Sequence, residues 1–200
     1  MNVRLQKTLH FTAGVWYNNA LQMNNYVTRI HLYTNSTDPV NQNTAFERLK
    51  YFVYYELDSS IFIDQAETEQ CSQFVSAGLK ITPMPGPPFD QMVGIMLYYK
   101  LNAIMEQRLV ITDVEISSSM GENLVYLHDE DEDTADIVKP EWWTTADLSH
   151  CDTDLAQSDK IVSINRTGSW HELELDWPTD AKVESGNIVV FADFKRNDTE

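Results

Sequence analysis

Between residues 5 and 15 apolar and polar positions alternate. Leu5, Leu9, Phe11, Ala13 and Val15 share one side; Gln6, Thr8, His10 and Thr12 share the other. A period of two predicts a half-buried β-strand. Trp16 to Asn25 is rich in Asn and reads as a polar connection. A second strand is predicted over Tyr26–Thr34, with Tyr26, Ile30 and Leu32 on one face and Arg29 and His31 on the other. The period then changes to that of a helix. Asp38 supplies a capping carboxylate and Pro39 suits the first helical position. Phe46, Leu49, Phe52, Val53 and Leu57 continue the stripe to a stop at Asp58-Ser59-Ser60. Residues 61–80 carry mixed signals, with a short helix over Thr68–Val75 and a stop at Gly78. Pro83, Pro85, Gly86, Pro87 and Pro88 make a stiff loop that cannot be helical. A second long helix is predicted over Phe89–Arg108, striped by Phe89, Met92, Val93, Met96, Ala103 and Ile104. Gly94 in its middle costs about 1 kcal/mol against Ala unless close packing requires it. Leu109–Ser118 and Asn123–His128 read as two more strands, joined by a turn at Ser119–Glu122.

The order strand, strand, helix, helix, strand, strand predicts an α+β domain over residues 1–130, two long helices covering one face of an antiparallel sheet. Residues 131–200 read as an acidic, β-rich extension packed on or beside that core. Within it, Lys160–Asn165, Trp170–Trp177 and Asn187–Phe194 have the pattern of strands. Residues 134–159 lack periodicity and read as an irregular segment held by Trp142 and Trp143.

Charge sharpens the division. Residues 1–110 hold 8 Lys+Arg against 9 Asp+Glu; residues 111–200 hold 6 against 22, giving the net charge of −17. Such a chain repels nucleic acid and anionic lipid and attracts basic partners. Neither a leader nor an apolar run near the ~20 residues of a membrane span is evident, so the expected location is the cytoplasm. Phosphate-cradling glycine motifs are absent.

Phe11-Thr12-Ala13-Gly14-Val15 and Val114–Ser119 followed by Asn123-Leu124-Val125-Tyr126 give the element order a family resemblance. The chain resembles the tunnelling fold, which includes 6-pyruvoyl-tetrahydropterin synthase and dihydroneopterin aldolase. The resemblance implies ring oligomers that bind pterins or purines between subunits. It places Val15 where the pterin synthases carry a zinc-binding His, with only His31 near their His-x-His. It places Ser118 at the ligand-anchoring Glu of one branch and near the lysine of the other, and Asp90 at an acid that opens the second helix. Asp90 and Ser118 are therefore candidate ligand residues, and the chain lacks the family's metal ligands.

Other chemistry is weakly encoded. His10, His31 and Glu115 could meet on paired strands, but two surface histidines are the simpler reading, and no metal or cofactor is expected. His150 beside Cys151 sits among acids that raise a thiol's pKa, the wrong direction for a nucleophile. The run Asp129, Glu130, Asp131, Glu132, Asp133 lacks the spacing of a calcium loop. Together with Trp142 and Trp143 it is a candidate surface for a basic protein partner, although the tryptophans suit a core anchor as well. The expectation is a non-enzymatic acidic interaction protein, such as a regulator or inhibitor of a basic partner. A pterin- or purine-binding tunnelling-fold protein and a structural component of a larger assembly, such as a virus particle, are the alternatives.

Overall fold

A computed structural model of the chain describes residues 4–129, 134, 136–148 and 168–178. Six strands form one sheet in the order β4-β3-β1-β2-β5-β6. Strand β1 (Arg4–Tyr17) and β2 (Ala20–Thr34) make a long antiparallel hairpin, paired from Arg4↔Tyr33 to Tyr17↔Ala20. The polar connection expected over Trp16–Asn25 is thus strand, except for two residues. Asn18 and Asn19 turn the chain with φ of 51° and 56°. Asn tolerates this left-handed region, and two such residues in succession give the tight turn whose twist suits a hairpin.

Helix α1 (Pro39–Tyr51) starts as the sequence predicts, with the Asp38 carboxylate accepting from Val40 N. It runs into a π-helical turn over Phe52–Leu57, which buries Phe52, Val53, Glu56 and Leu57 and leaves Tyr54 and Tyr55 outside. Two short strands follow that periodicity does not reveal, β3 (Ile61–Asp64) and β4 (Ile81–Met84), on either side of α2 (Thr68–Ser76). Both pair in parallel, β3 with β1 and β4 with β3, so the expected all-antiparallel sheet is a mostly antiparallel one with a parallel edge. Their side chains are covered on both faces, which replaces alternation by a short apolar run. Pro83 falls within β4, an edge position where a missing N–H is tolerated. Helix α3 (Asp90–Met105) leads into β5 (Leu109–Ser118), which pairs with β2 and with β6 (Tyr126–Asp129).

Helices α1 and α3 lie over the inner face of the sheet, where Leu9, Phe11, Tyr26, Ile30, Val114 and Ile116 join Leu49, Val93 and Leu101 in one core. On the opposite face α2 covers only the β3–β4 edge, through Ile61, Ile63, Cys71 and Ile81. Helix α3 is enclosed on more sides than its predicted stripe: Leu97, Lys100 and Leu101 are buried, while Phe89, outside the helix as its N-cap, is 54% exposed. The extra cover comes from residues 136–148, where the one-turn helix α4 (Glu141–Thr144) drives Trp143 into the core. Residues 168–178 also pack there through Trp170, Leu173, Leu175 and Trp177. The strand expected over Trp170–Trp177 is instead a turn, with Leu175 N donating to Trp170 O and Glu174 at φ 57°. The apolar residues of this segment are spaced for packing, not for a ladder. The strands expected at Lys160–Asn165 and Asn187–Phe194, and His150-Cys151, lie outside the described residues.

Gly94 is explained by close packing. A Cβ there would stand 3.0 Å from Tyr126 and 3.1 Å from Ile116, the side chains of β6 and β5 beneath the helix. Gly94→Ala is expected to cost about 1–3 kcal/mol by overpacking, despite alanine's better helix propensity. Urea denaturation checks this; a stabilised variant would show that the sheet yields.

Candidate functional site

The two predicted ligand residues meet. Asp90 is the first residue of α3 and Ser118 the last of β5, and their side chains come together beside Gly121. Ser118 Oγ accepts from Gly121 N at 3.1 Å. A Cβ on Gly121 would come within 2.6 Å of Asp90 Oδ2, so the turn after β5 needs glycine to approach the carboxylate. Burial pushes the Asp90 carboxyl above the usual carboxylate range, and Ser118 partly offsets this. Buried Asn24 sits alongside, its Oδ1 accepting from Ser119 Oγ and Met120 N at 2.9 Å each. The Tyr26 hydroxyl is buried near Asn24 and Asp90 without a well-formed hydrogen bond, and its burial raises its pKa. A carboxylate, a hydroxyl and a phenol thus come together where the start of α3 meets the β5–β6 turn. The same bonds pin that turn to the hairpin.

The other sequence candidates do not converge. His10 faces Val27 and His31 faces Gln6 across the hairpin, four positions or about 13 Å apart along the strand. Glu115 reaches His31 at 3.2 Å and Arg29 at 2.5 Å, a surface ion pair. Among the described residues no group of three or more His, Cys, Asp or Glu is placed to hold a metal. Val15, where the family resemblance puts a zinc ligand, is a core residue of β1. Cys71 is buried, and burial raises its thiol pKa. Trp143 is fully buried and Trp142 half-buried against it at a ring distance of 6.1 Å, so Trp143 is corrected from docking residue to core anchor. Asp129 lies in β6 opposite Asp113; Glu130, Asp131, Glu132 and Asp133 lie outside the described residues.

Two cations that sequence reasoning passed over organise the second half. Lys100, in α3, donates to Trp142 O at 2.7 Å, Thr145 O at 2.9 Å and Asp147 O at 2.6 Å. Its burial pushes its pKa down to about 8, with Asp147 opposing. Arg48, in α1, donates to Leu175 O, to Ile104 O and to Glu106 Oε1 at 2.9 Å. Its guanidinium lies 3.9 Å from the Trp177 ring centroid and 4.8 Å from that of Trp170; Arg108 lies 4.2 Å from the Trp177 ring. The available signal was a single cation inside an otherwise apolar helical stripe, at Tyr98-Tyr99-Lys100-Leu101 and at Phe46-Glu47-Arg48-Leu49.

No protein-family model matches the chain, and no curated protein is significantly similar to it in sequence. Solved structures do resemble it. An uncharacterized protein, WS1659 of Wolinella succinogenes, is 12% identical with a TM-score of 0.46, over 66% of this chain and 99% of that one. The 6-pyruvoyl tetrahydropterin synthase of Caenorhabditis elegans is 12% identical (TM-score 0.41), over 64% of this chain and 96% of that one. That of Plasmodium falciparum is 13% identical (TM-score 0.42), with the same coverage. The tunnelling-fold resemblance is therefore a distant likeness of fold.

Proposed function

We propose that the chain is a non-enzymatic interaction protein whose acidic second half takes a basic protein partner. The observation that carries this reading is how charge is sorted between interior and surface. Arg48 and Lys100 are buried and committed to backbone carbonyls and rings. Lys80 and Arg29 are paired with Glu56 and Glu115. Glu122, Asp136, Glu141, Asp147, Glu174 and Asp176 are exposed. The described part of the second half thus turns carboxylates outward, and such a surface raises the association rate of basic partners. Fluorescent decalysine is expected to bind at about 50 mM salt and to lose about tenfold or more in affinity by about 200 mM. No binding at the lower salt would overturn the reading.

A second reading is favoured by the convergence of Asp90 and Ser118: a small ligand of the pterin or purine class, held at its amino and ring-nitrogen edge. Here neopterin or guanine raises the melting temperature of the wild type. Asp90→Asn abolishes that shift while leaving stability at pH 7 within about 1 kcal/mol, because burial already disfavours the charged carboxylate. An unshifted melting curve with both ligands would remove this reading.

A further inference from the structure

A cavity of about 220 Å³ opens between the tip of the β1–β2 hairpin, the turn from β3 into α2, and the proline-rich loop before α3. Trp16, Tyr17, Asn18 and Asn19 line it from the hairpin, and each of the two rings has an aromatic neighbour. Trp16 meets Phe74 edge-on at 5.4 Å, and Tyr17 meets Phe89 at 5.0 Å. Asp64 and Glu67 bring two carboxylates to the same cavity, and no Lys, Arg or His lines it. Asp64 is held by the Ala66 N–H at 2.9 Å. Pro87 and Pro88 supply a stiff wall. The volume falls below the ~300 Å³ at which small-molecule sites begin, so it suits one side-chain head better than a whole ligand.

From this arrangement we infer that the cavity is a guanidinium pocket, reading an arginine side chain of the basic partner. Aromatic and proline faces accept a flat, weakly hydrated cation, and two carboxylates accept its N–H fork. A lysine ammonium, compact and strongly hydrated, gains less from such walls. The residues that form the pocket come from the near-neutral first half of the sequence, so it adds selectivity to the general attraction set by the acidic second half. The inference rests on the reading that the partner is basic.

Binding of labelled deca-arginine and decalysine to the full chain tests it. The wild type should prefer the arginine peptide by about tenfold. Asp64→Asn with Glu67→Gln should erase the preference while leaving decalysine affinity within about twofold. Asn at 64 keeps the oxygen that accepts from Ala66 N, and Glu67→Gln alone serves if the pair misfolds. Neutralising two exposed acids elsewhere, Glu141→Gln with Glu174→Gln, should weaken both peptides alike and keep the preference. A preference that survives the pocket variants, or decalysine binding with no preference in the wild type, overturns the pocket and leaves the proposed function standing. If neither peptide binds at low salt, both fall.

Discussion

Arg48→Ala is expected to cost about 3 kcal/mol of stability, because two carbonyl hydrogen bonds and the packing of a buried guanidinium against two indole rings are lost together. Arg48 is only 2% exposed, and groups from other parts of the chain depend on it. Leu175 O and Ile104 O lose their donor, Glu106 loses one of its two cations, and the Trp177 ring loses one of the two guanidinium groups that sandwich it. The loss falls on the attachment of residues 168–178, because Leu175 and Trp177 belong to that segment and Arg48 to α1. Arg48→Lys is expected to recover less than half of it, since an ammonium can neither fork nor stack flat on two indoles. Urea denaturation gives the magnitude. A red shift of tryptophan emission and early proteolytic cleavage within 168–178 show where the damage lies. A loss below about 1 kcal/mol would show that the segment is held by its apolar contacts alone.

This clamp also shows which parts of the molecule the sequence makes legible. The frame was readable because each long element carries its own period: alternation in β1 and β2, an Asp-Pro start and a stripe in α1, Gly94 as a mark of contact in α3. Strands β3 and β4 were hidden, since four residues covered on both faces give no alternation, and Pro83 argues against a strand until the strand is known to be at an edge. The hairpin tip was misread because Asn-rich sequence signals a turn without saying how short it is. The Trp170–Trp177 segment imitated a strand: its apolar residues are two apart because they dock on Arg48, Arg108 and the end of α1. Asp90 and Ser118 are picked out by the family resemblance and not by periodicity, and only the fold brings the start of α3 to the end of β5. Nothing in the sequence could indicate the cavity at the hairpin tip, because its residues come from three separate stretches that meet only through the parallel pairing of β3 with β1.

Lys100→Met is expected to lower stability by about 3 kcal/mol at pH 7, and to remove a pH dependence that the wild type shows in mild alkali. Methionine keeps the apolar stem of the side chain, so the change isolates the ammonium. Three carbonyls, those of Trp142, Thr145 and Asp147, then lose a donor at about 1 kcal/mol each or more, where water reaches poorly. The sign of the pH effect follows from linkage. Burial holds the folded-state pKa down to about 8, against an ordinary value of 10.5. Below about pH 8 both states carry the proton and the full desolvation penalty stands. Between about 8 and 10.5 the unfolded chain still binds a proton that the folded chain has released, so wild-type stability rises with pH. The slope is about 1.4 kcal/mol per pH unit, and the neutral amine still donates two hydrogen bonds to the carbonyls around it. Urea unfolding of wild type and variant at about pH 7.5 and 9.5 measures this, with the wild type gaining about 2 kcal/mol relative to the variant. Parallel behaviour of the two proteins would mean that the ring of carbonyls balances the desolvation of the ammonium, and that Lys100 keeps its ordinary affinity for the proton inside the core.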